Sequence, residues 1–286
     1  MGEIQDALQI LHDRWTARHG IAISDLKIGD DNAPMGSVLT YQQRADMASL
    51  MPEVSLMNVV VLEDREAGTP EWRRVEGPSP IALYRSPELQ KLTTEVVPTD
   101  GSLRWLGNWG ADLVQADDGA IAWAKTGQLK FTEIPSEWPP LPRLGAEGTC
   151  PPHDETLEQL QAIGSSYLDV PYVLGGRSQA RIDCSGLTSR IFRAACQVIL
   201  PRHSMDQRRC GTRVGRDQMK PGDLIFARLI NTRTAHVGLL LPGESEALHV
   251  LHASQRAGKV VSESLADFET GYRFMGARRI LEGGSS

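Results

Sequence analysis

The sequence predicts an α+β protein in which helices pack on antiparallel strands. Apolar residues recur at helical spacing over 187–200, which predicts a helix with one face toward a core. Short apolar runs that follow it, each bounded by turn residues, predict the strands of an antiparallel sheet. These runs cover 223–227, 236–241, 248–252, 259–262 and 272–275. A set of helices followed by a set of strands is the arrangement of α+β domains.

Several domains are predicted, because 286 residues exceed the length of one average domain. Six prolines between residues 135 and 152 indicate a stiff, extended linker. The predicted parts are a small α+β domain over 1–76, a β-barrel over 77–136, the linker over 137–152 and a C-terminal domain over 153–286.

The first part, 1–76, is predicted to form a small layer of helices and strands. Periodicity predicts helices over 4–18 and 41–51 and strands over 21–28, 36–39 and 54–63. This order of elements resembles the BON-type modules of bacterial envelope proteins. His12 and His19 are assigned to helix surfaces and not to a ligand site.

The second part, 77–136, is predicted to be a small β-barrel. Five short strand-like pieces with frequent turn residues lie at 81–84, 92–97, 104–106, 112–115 and 121–124. The segment 82–87, together with Asp118, Gly119 and Trp123, resembles bacterial SH3-type domains. That resemblance implies that the barrel can help to wall a substrate site, where Tyr84 could take part.

Composition excludes several classes of function. The net charge of −6 argues against a general nucleic-acid-binding protein, which needs a basic surface. The four cysteines form no C-x-x-C pair, so the sequence predicts neither a disulfide scaffold nor a zinc site. We expect no cofactor and no metal.

The sequence also bears on location. No basic segment followed by an apolar segment opens the chain, and no run of about 18 apolar residues predicts a membrane span. We therefore expect a cytoplasmic protein if the chain is complete, or a secreted or envelope protein if a leader has been removed.

A cysteine at a predicted helix start is the first candidate for chemistry. Asp183, Cys184 and Ser185 lead directly into the helical run, and Asp183 or Ser185 can cap it. The partial positive charge of a helix N-terminus favours a thiolate, so Cys184 is a candidate nucleophile. The alternative interpretation is a buried structural cysteine beside a capping aspartate.

Two histidines in the C-terminal strands are candidate partners for this cysteine. His236 opens one apolar strand and His252 lies in the next. A cysteine with histidines elsewhere in the chain is typical of a thiol nucleophile with a separate base. We assign His236 as the base and His252 as the group that orients it. His249, three residues before His252, is predicted to point to the opposite face of its strand.

These motifs, in their order along the chain, resemble the NlpC-type cysteine peptidases of bacterial cell-wall turnover. The resemblance rests on Asp-Cys-Ser-Gly at 183–186, His-Val-Gly at 236–238 and His-Ala-Ser at 252–254, and it covers about residues 153–280. It implies a papain-like fold for 153–286. It also implies hydrolysis of γ-D-glutamyl-diamino acid bonds in murein stem peptides, with L-Ala-γ-D-Glu-diamino acid as the recognised unit.

The resemblance also implies roles for individual residues. Tyr172 could donate to the oxyanion together with the backbone N–H of Cys184. Asp183 and Ser185 would contact substrate, with Asp183 pairing with the free ammonium group, although a capping role for Asp183 is equally open. Arg177 and Arg202 could meet substrate carboxylates or lie on the surface, and the surface is favoured for Arg177.

Two other functions stay open at this point. One is an amide hydrolase or acyl transferase of the same fold with another substrate. The other is a catalytically silent wall-binding protein, against which the intact cysteine and histidines argue. We expect a monomer.

Overall fold

The computed structural model describes residues 2–19, 24–61, 73–77, 80–98, 101–135, 153–232, 234–243 and 247–281. Within these ranges, helices pack on largely antiparallel sheets, which confirms the predicted α+β class. The linker predicted over 137–152 lies outside the described residues. In the described part of the chain, no helix combines the length and apolar character that crossing a membrane requires.

The N-terminal layer consists of two helices and a three-stranded sheet. Its elements are α1 (Gly2–His19), β1 (Ser24–Ile28), β2 (Pro34–Val38), α2 (Tyr41–Leu50) and β3 (Val59–Val61). β2 is the central strand, antiparallel to β1 and parallel to β3. Leu11, Trp15 and Met47 are buried between the helices and the sheet. A capping box of Thr40 and Gln43 fixes the start of α2.

The strand predicted over 54–63 is wrong in its first half. Only Val59–Val61 pairs in the sheet, and residues 62–63 lie outside the described residues. The backbone N–H of Val54 donates to Met51, and that of Val59 donates to Leu56. These local turn bonds occupy backbone groups that a longer strand would need for pairing.

The middle sheet has seven antiparallel strands. They are β4 (Arg73–Glu76), β5 (Ile81–Tyr84), β6 (Leu92–Val96), β7 (Ser102–Asn108), β8 (Asp112–Ala116), β9 (Ile121–Ala124) and β10 (Lys130–Pro135). Their order across the sheet is β10-β4-β7-β8-β9-β5-β6. The prediction found β5 to β9 but not β4 and β10, which pair with each other. The sheet therefore begins before residue 77, the predicted boundary.

The C-terminal part combines a six-stranded antiparallel sheet with helices on its surface. Its first elements are α3 (His153–Ser165), the short hairpin β11 (Arg177–Ser178) and β12 (Arg181–Ile182), α4 (Cys184–Cys196) and α5 (Ser204–Gln207). They are followed by β13 (Thr212–Val214), β14 (Leu224–Leu229), β15 (Ala235–Pro242), β16 (Leu248–Ser254), β17 (Lys259–Ser264), α6 (Leu265–Gly271) and β18 (Tyr272–Arg279). The strand order is β13-β18-β14-β15-β16-β17, and it includes all five predicted strands.

Helix α4 differs from the helix predicted over 187–200 at both ends. It begins at Cys184, because Asp183 caps it, and it ends at Cys196. Gln197 adopts a left-handed conformation with φ 57°, and its N–H donates to Arg193, which closes the helix. Val198 and Ile199 therefore lie beyond α4, although their spacing fits a helix.

The middle sheet contacts both other parts of the chain. Leu39 from the N-terminal layer packs with Leu106, Leu113 and Ile121 in an apolar cluster. Its contacts with the C-terminal part include two ion pairs: Arg177 pairs with Asp118 at 2.7 Å, and Arg193 pairs with Asp117 at 2.7 Å. The C-terminal part is thus joined to the middle sheet by ion pairs whose carboxylates are buried.

Candidate active site

Cys184 lies at the N-terminus of α4, where the helix meets β15. Asp183 caps the helix by accepting from the N–H of Gly186 at 2.7 Å, which confirms the predicted cap. The backbone N–H groups of Val237 and Ser185 interact with the Cys184 sulfur, which is 8% exposed as a residue. Because Val237 directly follows His236 in β15, the fold brings the cysteine to the histidine strand.

The resting thiol is less acidic than the helix N-terminus predicts. Burial, and then the negative charge of Asp183, raise the pKa of Cys184 to about 12. The N–H of Val237 lowers this pKa, but by less than burial raises it. Desolvation of the buried sulfur therefore opposes the thiolate that the helix N-terminus favours.

His236 and His252 form a buried pair on adjacent strands. Nε2 of His236 lies 2.7 Å from Nδ1 of His252, and the two rings meet edge to face. Burial, and then the neighbouring His252, lower the pKa of His236 well below its ordinary value. His236 is therefore neutral at rest, which is the form that can accept a proton.

An aromatic wall supports the histidine pair. Tyr272 stacks on His236 with ring centres 4.5 Å apart, and Phe268 stacks on Tyr272 at 4.6 Å. Phe268 also meets the ring of His252 edge-on. The hydroxyl groups of Tyr272 and Ser254 lie 3.2 Å apart, so Ser254 in the His-Ala-Ser motif anchors this wall. Sequence reasoning missed Phe268 because it did not predict α6, and it placed Tyr272 in a strand without linking it to the histidines.

Gly238 keeps room beside the histidine pair. A Cβ atom at this position would lie 2.5 Å from Cγ1 of Val250 and 3.3 Å from Cβ of His252. A side chain there would displace the strand that carries His252. Steric exclusion therefore explains why the third residue of the His-Val-Gly motif is glycine.

Tyr172 lies at the same end of α4 as the cysteine. Its N–H donates to Gly258, and an isolated parallel bridge joins it to Ile182. Burial, and then the charges of Cys184 and Asp183, raise the pKa of the half-buried phenol. Tyr172 therefore keeps its proton and can act as a hydrogen-bond donor beside the thiol.

Both carboxylate oxygens of Asp183 are occupied by protein groups. Oδ2 accepts from Arg202 at 2.6 Å and from the N–H of Gly175 at 2.7 Å. Oδ1 accepts from Gly186 and Arg202, and the Ser185 hydroxyl lies 3.3 Å away. Burial alone would raise the pKa of Asp183, but Arg202 and these hydrogen bonds hold it below its ordinary value. This arrangement gives no support to contact between Asp183 and a substrate ammonium group.

The two arginines considered for substrate carboxylates are both buried. Arg177 is 5% exposed and Arg202 is 2% exposed. The expectation that Arg177 lies on the surface is wrong, because it pairs with Asp118 and its N–H donates to Glu95. Sequence spacing gives no signal for these partners, which come from the middle sheet.

One further group extends the histidine pair. Nε2 of His252 lies 2.9 Å from Oε1 of Glu263 in β17, and Arg256 approaches Oε2 of the same carboxylate at 3.2 Å. Glu263 lies opposite Val250, two residues before His252, so both side chains share one face of the sheet. Only the register of β16 and β17 could have indicated this contact in advance.

A buried thiol at a helix start, next to a buried histidine pair, is an arrangement suited to nucleophilic catalysis. Comparison with known proteins agrees with it. The model of the NlpC/P60 family matches residues 169–279. The Escherichia coli "Probable endopeptidase NlpC" is 32% identical over 124 residues, which cover 43% of this chain and 75% of that protein. The chain belongs to the NlpC/P60 family.

Two other relatives are similar over matches of comparable length. The Escherichia coli "Murein DD-endopeptidase MepS/Murein LD-carboxypeptidase" is 36% identical over 39% of this chain and 56% of its own length. The Bacillus subtilis "Gamma-D-glutamyl-L-lysine dipeptidyl-peptidase" is 39% identical over 41% of this chain and 38% of its own. The chain thus spans about half the length of the first of these relatives and a smaller share of the second.

Proposed function

We propose that this protein is a cysteine peptidase that hydrolyses γ-D-glutamyl-diamino acid bonds in murein stem peptides, in cell-wall turnover or recycling. One observation carries the proposal. Nε2 of His236 and Nδ1 of His252, both on buried rings, lie 2.7 Å apart, and the backbone N–H of the next residue, Val237, interacts with the Cys184 sulfur. The names of the relatives, a murein endopeptidase and a γ-D-glutamyl peptidase, support the substrate class.

The proposed reaction starts from a thiol and a neutral imidazole. His236 takes the proton of Cys184 as the sulfur attacks the carbonyl carbon of the scissile amide, which avoids a buried charge pair before substrate arrives. His236 then protonates the leaving amine and later activates the water that hydrolyses the thioester. His252 orients His236 through the ring-to-ring hydrogen bond.

The oxyanion of the tetrahedral intermediate requires donors at the start of α4. The backbone N–H of Cys184 and the protonated phenol of Tyr172 are our candidates. Loss of one such donor costs about 10²–10³ in kcat in a well-studied protease. We propose that Ser185 and Asp183 hold the N-terminus of α4 in place and do not contact substrate, because Arg202 already donates hydrogen bonds to both of them.

The bond specificity is tested with synthetic peptides and mass spectrometry. Wild-type protein should cleave L-Ala-γ-D-Glu-diamino acid tripeptides, with lysine or diaminopimelate at the third position, into a dipeptide and the free diamino acid. Cys184→Ala should abolish cleavage. Cys196→Ala is the matched control, because Cys196 is also buried in α4 but at its far end. Equal cleavage by wild type and Cys184→Ala would refute the proposal.

Other outcomes of the same assay separate the alternatives. Cleavage only of cross-linked muropeptides would move the activity to another murein bond. Cleavage only of non-murein amides, or acyl transfer to an added amine, would favour a hydrolase or transferase with a different substrate. A protein that binds murein but turns over none of these compounds would be a silent wall-binding protein.

A further inference from the structure

The hydrogen-bonded histidine pair continues to a carboxylate, because Nε2 of His252 contacts Glu263. His252 is completely buried, and both of its ring nitrogens are engaged: Nδ1 with Nε2 of His236 at 2.7 Å, and Nε2 with Oε1 of Glu263 at 2.9 Å. The Glu263 side chain is 19% exposed and lies between the buried ring and solvent. His236, His252 and Glu263, on three adjacent strands, are therefore linked by consecutive side-chain hydrogen bonds.

The chemistry of a carboxylate decides which ring nitrogens carry protons. An ionised carboxylate can only accept, so Nε2 of His252 must carry the proton in the contact with Glu263. In the neutral ring Nδ1 is then an acceptor, and the proton in the contact between the rings belongs to Nε2 of His236. The nitrogen that remains on His236 is Nδ1, unprotonated and available for the thiol proton.

We propose that Glu263 is a positioning residue, which fixes the tautomer of His252 and through it the ring nitrogen that His236 offers to Cys184. The inference rests on the function proposed above, because it assigns a role within the same reaction. When His236 takes the Cys184 proton on Nδ1, its Nε2–H still donates to His252, so the pair needs no rearrangement during the reaction.

The surroundings of Glu263 favour its ionised form. Arg256 approaches its second oxygen at 3.2 Å. The hydrogen bond from His252 lowers the pKa of Glu263, with Arg256 adding to the effect, while burial and the negative charge of Asp267 on α6 act in the opposite direction. Tyr272 on β18 stacks on His236 and lies under Arg256. Among the described residues, His252, Arg256, Asp267 and Tyr272 are the titratable and charged groups that interact with this carboxylate.

The test compares Glu263→Gln with wild type in two kinds of measurement. The first is the pH profile of kcat/KM on the tripeptide. In a serine-protease triad, a changed orienting carboxylate costs about 10⁴ in kcat, and Glu263 is one group further out, so we expect a loss of about 10- to 100-fold with little change in KM. Loss of the negative charge should also move the acid limb of the profile to lower pH.

The second measurement is nuclear magnetic resonance of ¹⁵N-labelled histidine, which distinguishes protonated from unprotonated ring nitrogens and needs no substrate. In wild type we expect a single tautomer of His252, protonated on Nε2. In Glu263→Gln, whose amide can donate or accept, we expect two tautomers. Glu263→Asp keeps the charge on a shorter side chain and should restore part of the wild-type signal and rate.

Glu269→Gln is the matched control. Glu269 is a partly buried glutamate on α6 that pairs with Arg216 at 2.6 Å, so its loss of charge should leave both measurements unchanged. Identical tautomers and pH profiles in wild type and Glu263→Gln would overturn the inference while leaving the proposed peptidase intact. A changed tautomer in a protein that cleaves no tripeptide would support the inference and refute the proposed substrate.

Discussion

Arg202 joins helix α4 to the middle sheet through Asp183. Its two Nη atoms donate to Oδ1 and Oδ2 of Asp183 at 3.1 and 2.6 Å, and its Nε donates to Thr94 in β6 at 2.9 Å. The cap of α4, and hence the position of Cys184, depends on Arg202, which also binds Thr94, 108 residues earlier in the chain. This dependence can be tested by removing the arginine.

We expect Arg202→Gln to destabilise the protein strongly. The substitution leaves Asp183 buried without its counter-charge, and breaking a buried pair in this way costs about 3–5 kcal/mol. The free energy of unfolding in urea measures the effect. Arg216→Gln is the control, because it breaks a more exposed pair with Glu269, which is worth at most about 1 kcal/mol. Similar losses in both variants would contradict the assigned role of Arg202.

The contact between Arg177 and Asp118 leads to a second prediction. Asp118→Asn removes the charge that a buried arginine faces across the interface, and we expect a loss of about 3–5 kcal/mol in unfolding free energy. Glu76→Gln changes an exposed glutamate in β4 of the same sheet and should cost less than about 0.5 kcal/mol. An Asp118→Asn variant as stable as wild type would mean that the ion pair does not hold the two parts together.

The acidity of Cys184 predicts how the resting protein reacts with iodoacetamide. Because burial raises its pKa to about 12, the thiolate fraction should keep growing as pH rises. We therefore expect the alkylation rate of Cys184, followed by mass spectrometry of its peptide, to increase from pH 6 to pH 10 without a plateau. A pH-independent rate across the neutral range would indicate a thiolate–imidazolium pair at rest and contradict this description.

The buried, neutral His236 predicts that the protein loses stability in mild acid. Its folded-state pKa is lowered, so its contribution is present above the unfolded-state pKa of about 6.5 and is lost as pH falls below that value. The slope from one such group is at most about 1.4 kcal/mol per pH unit. Urea unfolding at pH 7.5, 6.5 and 5.5 should show this dependence in wild type and in His12→Asn, and a weaker one in His236→Asn.

If the stability of His236→Asn fell between pH 7.5 and pH 5.5 by as much as that of wild type, the acid sensitivity would belong to another group. His12 is a suitable control because it lies exposed on α1.

Motifs with local meaning were predictable from the sequence, and long-range partners were not. The Asp-Cys-Ser-Gly and His-containing segments make Cys184, His236 and His252 candidates, and strand patterns place both histidines in adjacent strands. The partners that hold them, such as Glu263 for His252, depend on the register between strands. With 30 basic and 36 acidic side chains in the chain, sequence alone offers no reason to pair one arginine with one acid.

The same distinction explains the errors at element ends. Val198 and Ile199 continue the helical spacing of α4, but the helix ends at Gln197, which adopts a left-handed conformation. No local sequence pattern predicts this conformation. Strands β4 and β10 lie far apart in the chain and support each other, so neither is recognisable by itself. The surface assignment of Arg177 failed because its partners come from another part of the molecule.

The charged seam between the middle sheet and the C-terminal part has a consequence for protein engineering. A chimera that joins the C-terminal part to a preceding module without acids at the positions of Asp118 and Asp117 would leave Arg177 and Arg193 facing no counter-charge. Each stranded guanidinium would oppose docking of the new module. A working chimera would therefore have to carry both members of each ion pair, the acid and its arginine.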